Sequence, residues 1–206
     1  MIDVKICGIT VPDDARLAAE LGAFAVGIVF WPQSPRAVDR IRAKEIVSAV
    51  PAGVQTVGVF VNQTAEAIDI AQDVGLSAIQ LHGDEQPDSY REVVERGSVR
   101  VIKAIAVRDR AAVQEAAAVP EPARVLLDAH DAVKRGGTGR TIDWSIAAAI
   151  ARERSVILSG GLNPRNVIEA VTAVGPAAID VSSGVESAPG RKDPARLREL
   201  FELLRN

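Results

Sequence analysis

Aromatic side chains are scarce in this chain: Phe, Trp and Tyr together make up 3% of its 206 residues. A core must therefore be built from Val, Ile, Leu and Ala, which favours layered packing of buried parallel strands over an aromatic-rich β-sandwich. There is one cysteine, so no intrachain disulfide can form, and one cysteine with two histidines makes a poor zinc set. No metal site is expected. Neither sign of charge dominates, and a net charge of −3 argues against electrostatic binding to nucleic acid or to an anionic membrane. No uninterrupted apolar stretch approaches the ~20 residues of a membrane span. The first apolar run starts almost at Met1 and leaves no room for a signal peptide. The expectation is a cytoplasmic protein.

What is present is a regular alternation. With 48% hydrophobic and 25% charged residues the chain has an ordinary globular balance, and 206 residues suit one domain, 1–206. Apolar, β-branched runs lie at Val4–Cys7, Ala25–Phe30, Gln55–Val61, Ala78–Leu81, Val99–Ala106, Arg124–Asp128, Val156–Leu158 and Ala178–Val181. Most are apolar at consecutive positions, as expected of strands covered on both faces. Helix punctuation separates them. Asn163-Pro164 and Asp193-Pro194 each place a capping residue before a proline at the first helical position. Gly22, Gly75, Gly97 and Gly175 stand where helices should end. Asp13–Leu21 puts Ala15, Leu17, Ala18 and Leu21 on one face, with Asp14, Arg16 and Glu20 opposite. Eight strand-helix units in this length reach the lower size limit of a (β/α)8 TIM barrel. An open doubly wound sheet shares the alternation, but eight parallel strands would make it wide. The chain also lacks a G-x-G-x-x-G after its first strand. An α/β fold with a single (β/α)8 barrel is the expectation.

In a barrel the active site lies at the C-terminal strand ends. Those ends carry Cys7, Ser34-Pro35-Arg36 after strand two, Asn62, His82, Asp128, Ser159-Gly160-Gly161 and Ser182-Ser183-Gly184. A thiol and a carboxylate at two strand tips make a plausible general base and general acid, though a strand cysteine is also a common small core residue. Asp128 ends an otherwise apolar run, where an acid is costly to bury without a purpose or a partner. The glycine loops after strands seven and eight suit a phosphate, their N–H groups making an anion cradle at the usual barrel position. Gly136-Gly137-Thr138-Gly139, flanked by Lys134, Arg135 and Arg140, reads either as a lid over that phosphate or as a plain loop. Arg36 offers a guanidinium for a carboxylate, or is simply a solvated arginine. His82 could touch a ligand or fix its loop by hydrogen bonds. His130 receives no role.

Together these motifs resemble the phosphoribosylanthranilate isomerases of tryptophan biosynthesis. The resemblance runs through Lys5-Ile6-Cys7-Gly8-Ile9-Thr10, Ser34-Pro35-Arg36, Val57–Asn62, Gln80-Leu81-His82-Gly83-Asp84-Glu85, Asp128, Gly136–Gly139, Asp143-Trp144, Ser159–Leu162 and Asp180–Glu186. It spans essentially the whole chain in one order. Only Ser159 departs, standing where a small apolar residue is usual. The resemblance implies a barrel that performs an Amadori rearrangement without cofactor or metal. The phosphosugar-anthranilate N-(5-phosphoribosyl)anthranilate would become 1-(2-carboxyphenylamino)-1-deoxyribulose 5-phosphate. Cys7 would act as base and Asp128 as acid. Arg36 would hold the anthranilate carboxylate, and Asp180 and His82 would contact substrate. Gly137, Gly139, Gly160, Gly161, Ser183 and Gly184 would bind phosphate. No protein partner is implied. A free thiol titrates near ~8.5 and a free aspartate near ~3.9, so such a site must draw its two groups toward the working pH. Two rivals bear on Cys7. The related isomerase of histidine biosynthesis places an aspartate there, and a non-catalytic phosphosugar-binding protein needs neither base nor acid.

Overall fold

The computed structural model describes residues 2–86, 91, 93, 99–129 and 142–205. Eight parallel strands follow one another around a closed barrel: β1 (Asp3–Ile6), β2 (Ala25–Val29), β3 (Gln55–Phe60), β4 (Ala78–Leu81), β5 (Arg100–Val107), β6 (Arg124–Ala129), β7 (Val156–Leu158) and β8 (Ala178–Val181). β8 returns to pair with β1, with Lys5 opposite Asp180 and Ile6 opposite Val181. That closure excludes the open sheet, and the strands coincide with the apolar runs to within two residues.

Seven helices are described: α1 (Pro12–Leu21), α2 (Arg40–Ala49), α3 (Thr64–Val74), α4 (Ala111–Ala117), α5 (Trp144–Glu153), α6 (Val167–Val174) and α7 (Pro194–Arg205). Their ends follow local chemistry. Gly22, Gly75 and Gly175 terminate α1, α3 and α6 in the left-handed conformation. Gly97 lies outside the described residues. Asp193 caps α7, its Oδ1 accepting the Ala195 N–H at 2.9 Å. The Asn163-Pro164 expectation needs correction. Asn163 Oδ1 accepts the Arg165 N–H at 2.9 Å and closes a turn, and α6 starts only at Val167. A side chain satisfied within its own turn is not free to cap the helix. Asp14 also departs from the solvent face assigned to it, for its Oδ2 accepts the Lys192 N–H at 3.0 Å.

Strand alternation sorts the core into two layers. Outward residues such as Val4, Ile6, Ile79, Leu127 and Ile179 pack with helix residues Ala18, Ile46, Ala71 and Leu200 in one large cluster. Inward residues, among them Val57, Ile102, Leu126 and Ile157, fill the lower barrel. Above that plug the lining turns polar, with Lys5, Gln80 and Asp180 all buried. A short hairpin, β9 (Glu186–Ala188) with β10 (Arg191–Lys192), follows β8 at the mouth. No helix among the described residues is long and apolar enough to cross a membrane.

Candidate active site

A cavity of about 450 Å³ opens at the C-terminal mouth. Cys7, Arg36, His82, Asp128, Ser159, Gly160, Gly161, Asp180 and Ser183 all line it, so residues far apart in sequence converge on one space. Gly184 stands just behind this wall, where a Cβ would overlap the Leu162 carbonyl oxygen. Gly137 and Gly139 lie outside the described residues, as do His130, Lys134, Arg135 and Arg140. No group of His, Cys, Asp and Glu among the described residues is arranged to hold a metal ion.

Cys7 directly follows β1, and two positions earlier on the same inward face stands Lys5. The Lys5 ammonium is completely buried and pairs with Asp180 Oδ1 at 2.8 Å. Burial alone would push this ammonium down, but the Asp180 carboxylate and the Cys7 thiol hold it above its ordinary value. Burial pushes the Cys7 thiol up, with Lys5 and Lys192 pulling it back and Asp180 adding to the rise.

Arg36 is not the solvated arginine its loop position allowed. Its Nε and Nη2 donate to the two oxygens of Glu186 at 2.9 and 2.6 Å, a buried bidentate pair. Lys192 completes the group, its Nζ donating to Glu186 Oε1 at 2.8 Å and to the Cys7 carbonyl at 2.6 Å. The Glu186 hydrogen bond holds Arg36 above its usual value. Burial would raise Glu186, yet the bonds from Arg36 and Lys192 hold it below the ordinary range. Sequence reasoning gave Glu186 and Lys192 no role. Glu186 at least stood inside a quoted motif, whereas Lys192 carried no signal.

His82 is bound from both sides. Its Nε2 lies 2.9 Å from Asp128 Oδ2 and its Nδ1 lies 2.7 Å from Gln80 Nε2. With the Gln80 amide donating to Nδ1, the imidazole carries its proton on Nε2 and donates to an ionised Asp128. That orientation leaves Gln80 Oε1 buried without a protein partner among the described residues. Turning the amide over lets Oε1 accept from Nδ1–H, and Nε2 can then accept from a protonated Asp128. The triad thus accommodates the carboxyl in both protonation states.

Below this loop Glu85 accepts from Asn62 N–H at 2.9 Å, Gly83 N–H at 2.9 Å and Lys103 Nζ at 2.8 Å. Asn62, at φ 55°, and Glu85 therefore brace the His82 loop rather than face the cavity. Across the mouth, Gly160 and Gly161 both adopt positive φ, a conformation that L side chains rarely take. Their N–H groups meet no backbone acceptor among the described residues. The loops after β7 and β8 meet where Gly184 packs on Leu162, so they form one continuous surface.

The model of the family "N-(5'phosphoribosyl)anthranilate (PRA) isomerase" matches residues 4–203. A relative from Geobacter sulfurreducens, an N-(5'-phosphoribosyl)anthranilate isomerase, is 49% identical over 202 residues, covering 98% of this chain and 97% of its own. The crystal structure of phosphoribosyl anthranilate isomerase from Thermotoga maritima superimposes with a TM-score of 0.90 at 41% identity, covering 98% of each chain. A further crystal structure shows a phosphoribosyl anthranilate isomerase in complex with reduced 1-(o-carboxyphenylamino)-1-deoxyribulose 5-phosphate. It has a TM-score of 0.86 and 40% identity, and the match covers 98% of this chain and 97% of that one. With the barrel and the converging site residues in place, these similarities show that the chain belongs to the N-(5'-phosphoribosyl)anthranilate isomerase family and is an isomerase of tryptophan biosynthesis.

Proposed function

We propose that the chain converts N-(5-phosphoribosyl)anthranilate to 1-(2-carboxyphenylamino)-1-deoxyribulose 5-phosphate with Cys7 as general base and Asp128 as general acid. The carrying observation is that Cys7, Asp128, Arg36, Gly160 and Gly161 after β7, and Ser183 after β8 all border one cavity. Asp128 in its protonated form gives its proton to the furanose ring oxygen. The bond from that oxygen to C1 breaks as the anthranilate nitrogen lone pair forms a protonated Schiff base. The Cys7 thiolate then takes the proton from C2, and those electrons neutralise the Schiff base to an enolamine. Protonation at C1 and loss of the C2 hydroxyl proton give the aminoketose, an isomer of the substrate, so no oxidant or reductant is consumed.

Binding supplies the positioning. The Nη1–Nη2 edge of Arg36, left over by Glu186, takes the anthranilate carboxylate. The loops holding Gly160, Gly161, Ser183 and Gly184 take the phosphate through N–H groups, with Gly137 and Gly139 proposed to add to them. Asp180 bonds a sugar hydroxyl. His82 lines the cavity and orients Asp128. Anchoring both ends of the substrate brings C2 to the thiol.

The test follows the fluorescence decay of freshly made phosphoribosylanthranilate with wild-type protein, Cys7→Ala and Asp128→Asn. Fast decay with wild type and its near-abolition in both variants is the expected result. Full activity in Cys7→Ala would remove the thiol from the chemistry. No turnover by folded wild type would point instead to another aminoaldose or to a binding protein.

A further inference from the structure

Lys5 has no part in the steps above, yet it is among the largest completely buried side chains of the barrel. Cross-strand register sets it beside Asp180, and Ser159 Oγ donates to the other Asp180 oxygen at 3.4 Å. A buried ion pair contributes little to stability compared with well-packed apolar residues of similar volume. Below this pair Val57, Ile102, Leu126 and Ile157 pack in an apolar cluster, so hydrophobic packing was an available solution in this barrel. The pair therefore calls for another explanation, and its neighbour supplies one.

The neighbour is the thiol. A Cβ added at Gly27 would stand 2.8 Å from Cys7 Sγ and 3.1 Å from Lys5 Nζ. The glycine thus keeps open the space that ammonium and thiol share. Charge counting shows what the ammonium does there. With Lys5 and Asp180 both ionised, the pair is neutral, and forming a thiolate adds a single negative charge. Without Lys5 the same step sets a thiolate beside an uncompensated carboxylate, and like charges in a buried site oppose ionisation. The other cations near Cys7 share one carboxylate and keep a single net positive charge, but neither shares the Gly27 space with the thiol as Lys5 does. Lys192, from the hairpin, is bonded to Glu186, and Arg36, from the loop after β2, is held by the same carboxylate.

We infer that Lys5 is a positioning residue for the isomerase base: its ammonium, held beneath the thiol by Asp180, stabilises the thiolate on which proton abstraction from C2 depends. The inference deepens the role proposed for Cys7 and depends on it. Lys5 itself is fully buried and is not among the residues that line the cavity. Its effect appears as the position of the thiol's titration and, through it, as the rate.

The chain's single cysteine makes the test clean, because any thiol signal comes from Cys7. Cys7 also lines the cavity, within reach of a small reagent. The rate of iodoacetamide alkylation and the thiolate absorbance near 240 nm are followed against pH for wild type, Lys5→Met and Lys5→Met/Asp180→Asn. The double variant avoids a buried unpaired carboxylate and covers the case in which Lys5→Met does not fold. The expected order of thiol midpoints is wild type lowest, the double variant above it and Lys5→Met highest. The single variant should move by about one pH unit or more, within the range buried charges produce. Alkylation at pH 7.5 then slows about tenfold, and the ascending limb of kcat/KM moves with the midpoint. A folded double variant titrating at or below wild type overturns the inference. Alkylation needs no turnover, so the outcomes separate: a shifted midpoint with no wild-type isomerisation would leave Lys5 as the thiol's counter-charge and refute the proposed reaction.

Discussion

Glu186 holds Arg36 by one edge of its guanidinium, through Nε and Nη2 at 2.9 and 2.6 Å, and leaves the Nη1–Nη2 edge unclaimed by that carboxylate. A planar fork gripped on one side can present its second pair of donors in a fixed direction. Glu186→Gln should therefore loosen the presentation without removing the charge. KM should rise roughly tenfold with a much smaller change in kcat, the signature of lost binding rather than lost chemistry. Steady-state kinetics on the two forms decides this. A fall in kcat at constant KM would place Glu186 elsewhere in the mechanism.

The same carboxylate links stability to pH. Its value is lowered in the folded state because the Arg36 and Lys192 bonds outweigh burial. A lowered carboxyl stabilises the fold above its unfolded value of ~4.3, and that contribution is lost as pH falls through the folded value. Urea midpoints measured from pH 6 down to pH 3 should drop more steeply for wild type than for Glu186→Gln. Parallel curves would contradict the assignment.

Gln80 fixes the imidazole that faces Asp128. Gln80→Leu keeps the volume and removes the partner of His82 Nδ1. We expect kcat to fall on the order of tenfold, with KM little changed, because Asp128, the proposed acid, loses its oriented partner while the proposed carboxylate and phosphate anchors stay. Circular dichroism and urea unfolding confirm that the barrel is intact before the rates are compared.

Lys103 and Glu85 form a buried pair 2.8 Å apart that carries the loop after β4. Removing one partner leaves a buried charge uncompensated, so Lys103→Met should cost about 3–5 kcal/mol in urea unfolding. Lys103→Met/Glu85→Gln should recover part of that loss.

Gly184 faces the Leu162 carbonyl with no room for a methyl group. Gly184→Ala should separate the loops after β7 and β8, costing about 1–3 kcal/mol and raising KM more than it lowers kcat. Affinity for inorganic phosphate, measured by calorimetry, should weaken in parallel.

The barrel was legible because its strands are covered on both faces, which writes each as a short run of Val, Ile, Leu and Ala. The tips were legible because polar residues ending such runs have few other reasons to be there. Lys5 and Gln80 stood inside quoted motifs but received no role, since a largely apolar run hides which positions face inward. Their spacing of two from Cys7 and His82 was the signal, and strand alternation makes it readable. The grip of Glu186 on Arg36 spans 150 residues and that of Lys192 on Cys7 spans 185, distances at which no local pattern informs. Asn163 shows the opposite failure, where a strong local motif for a helix start was consumed by a turn.

The attachment of Lys192 to the Cys7 carbonyl, together with the β1–β8 pairing, makes the beginning of the barrel wait for its end. On a ribosome adding about 5–20 residues per second, roughly 10–40 s pass between the appearance of the thiol and that of its last support. Throughout that interval β1 has an unpaired edge and the cysteine lacks its finished pocket. Oxidants and chaperones therefore meet this residue before any substrate does, and the time spent in synthesis is when the enzyme's only sulfhydryl is least protected.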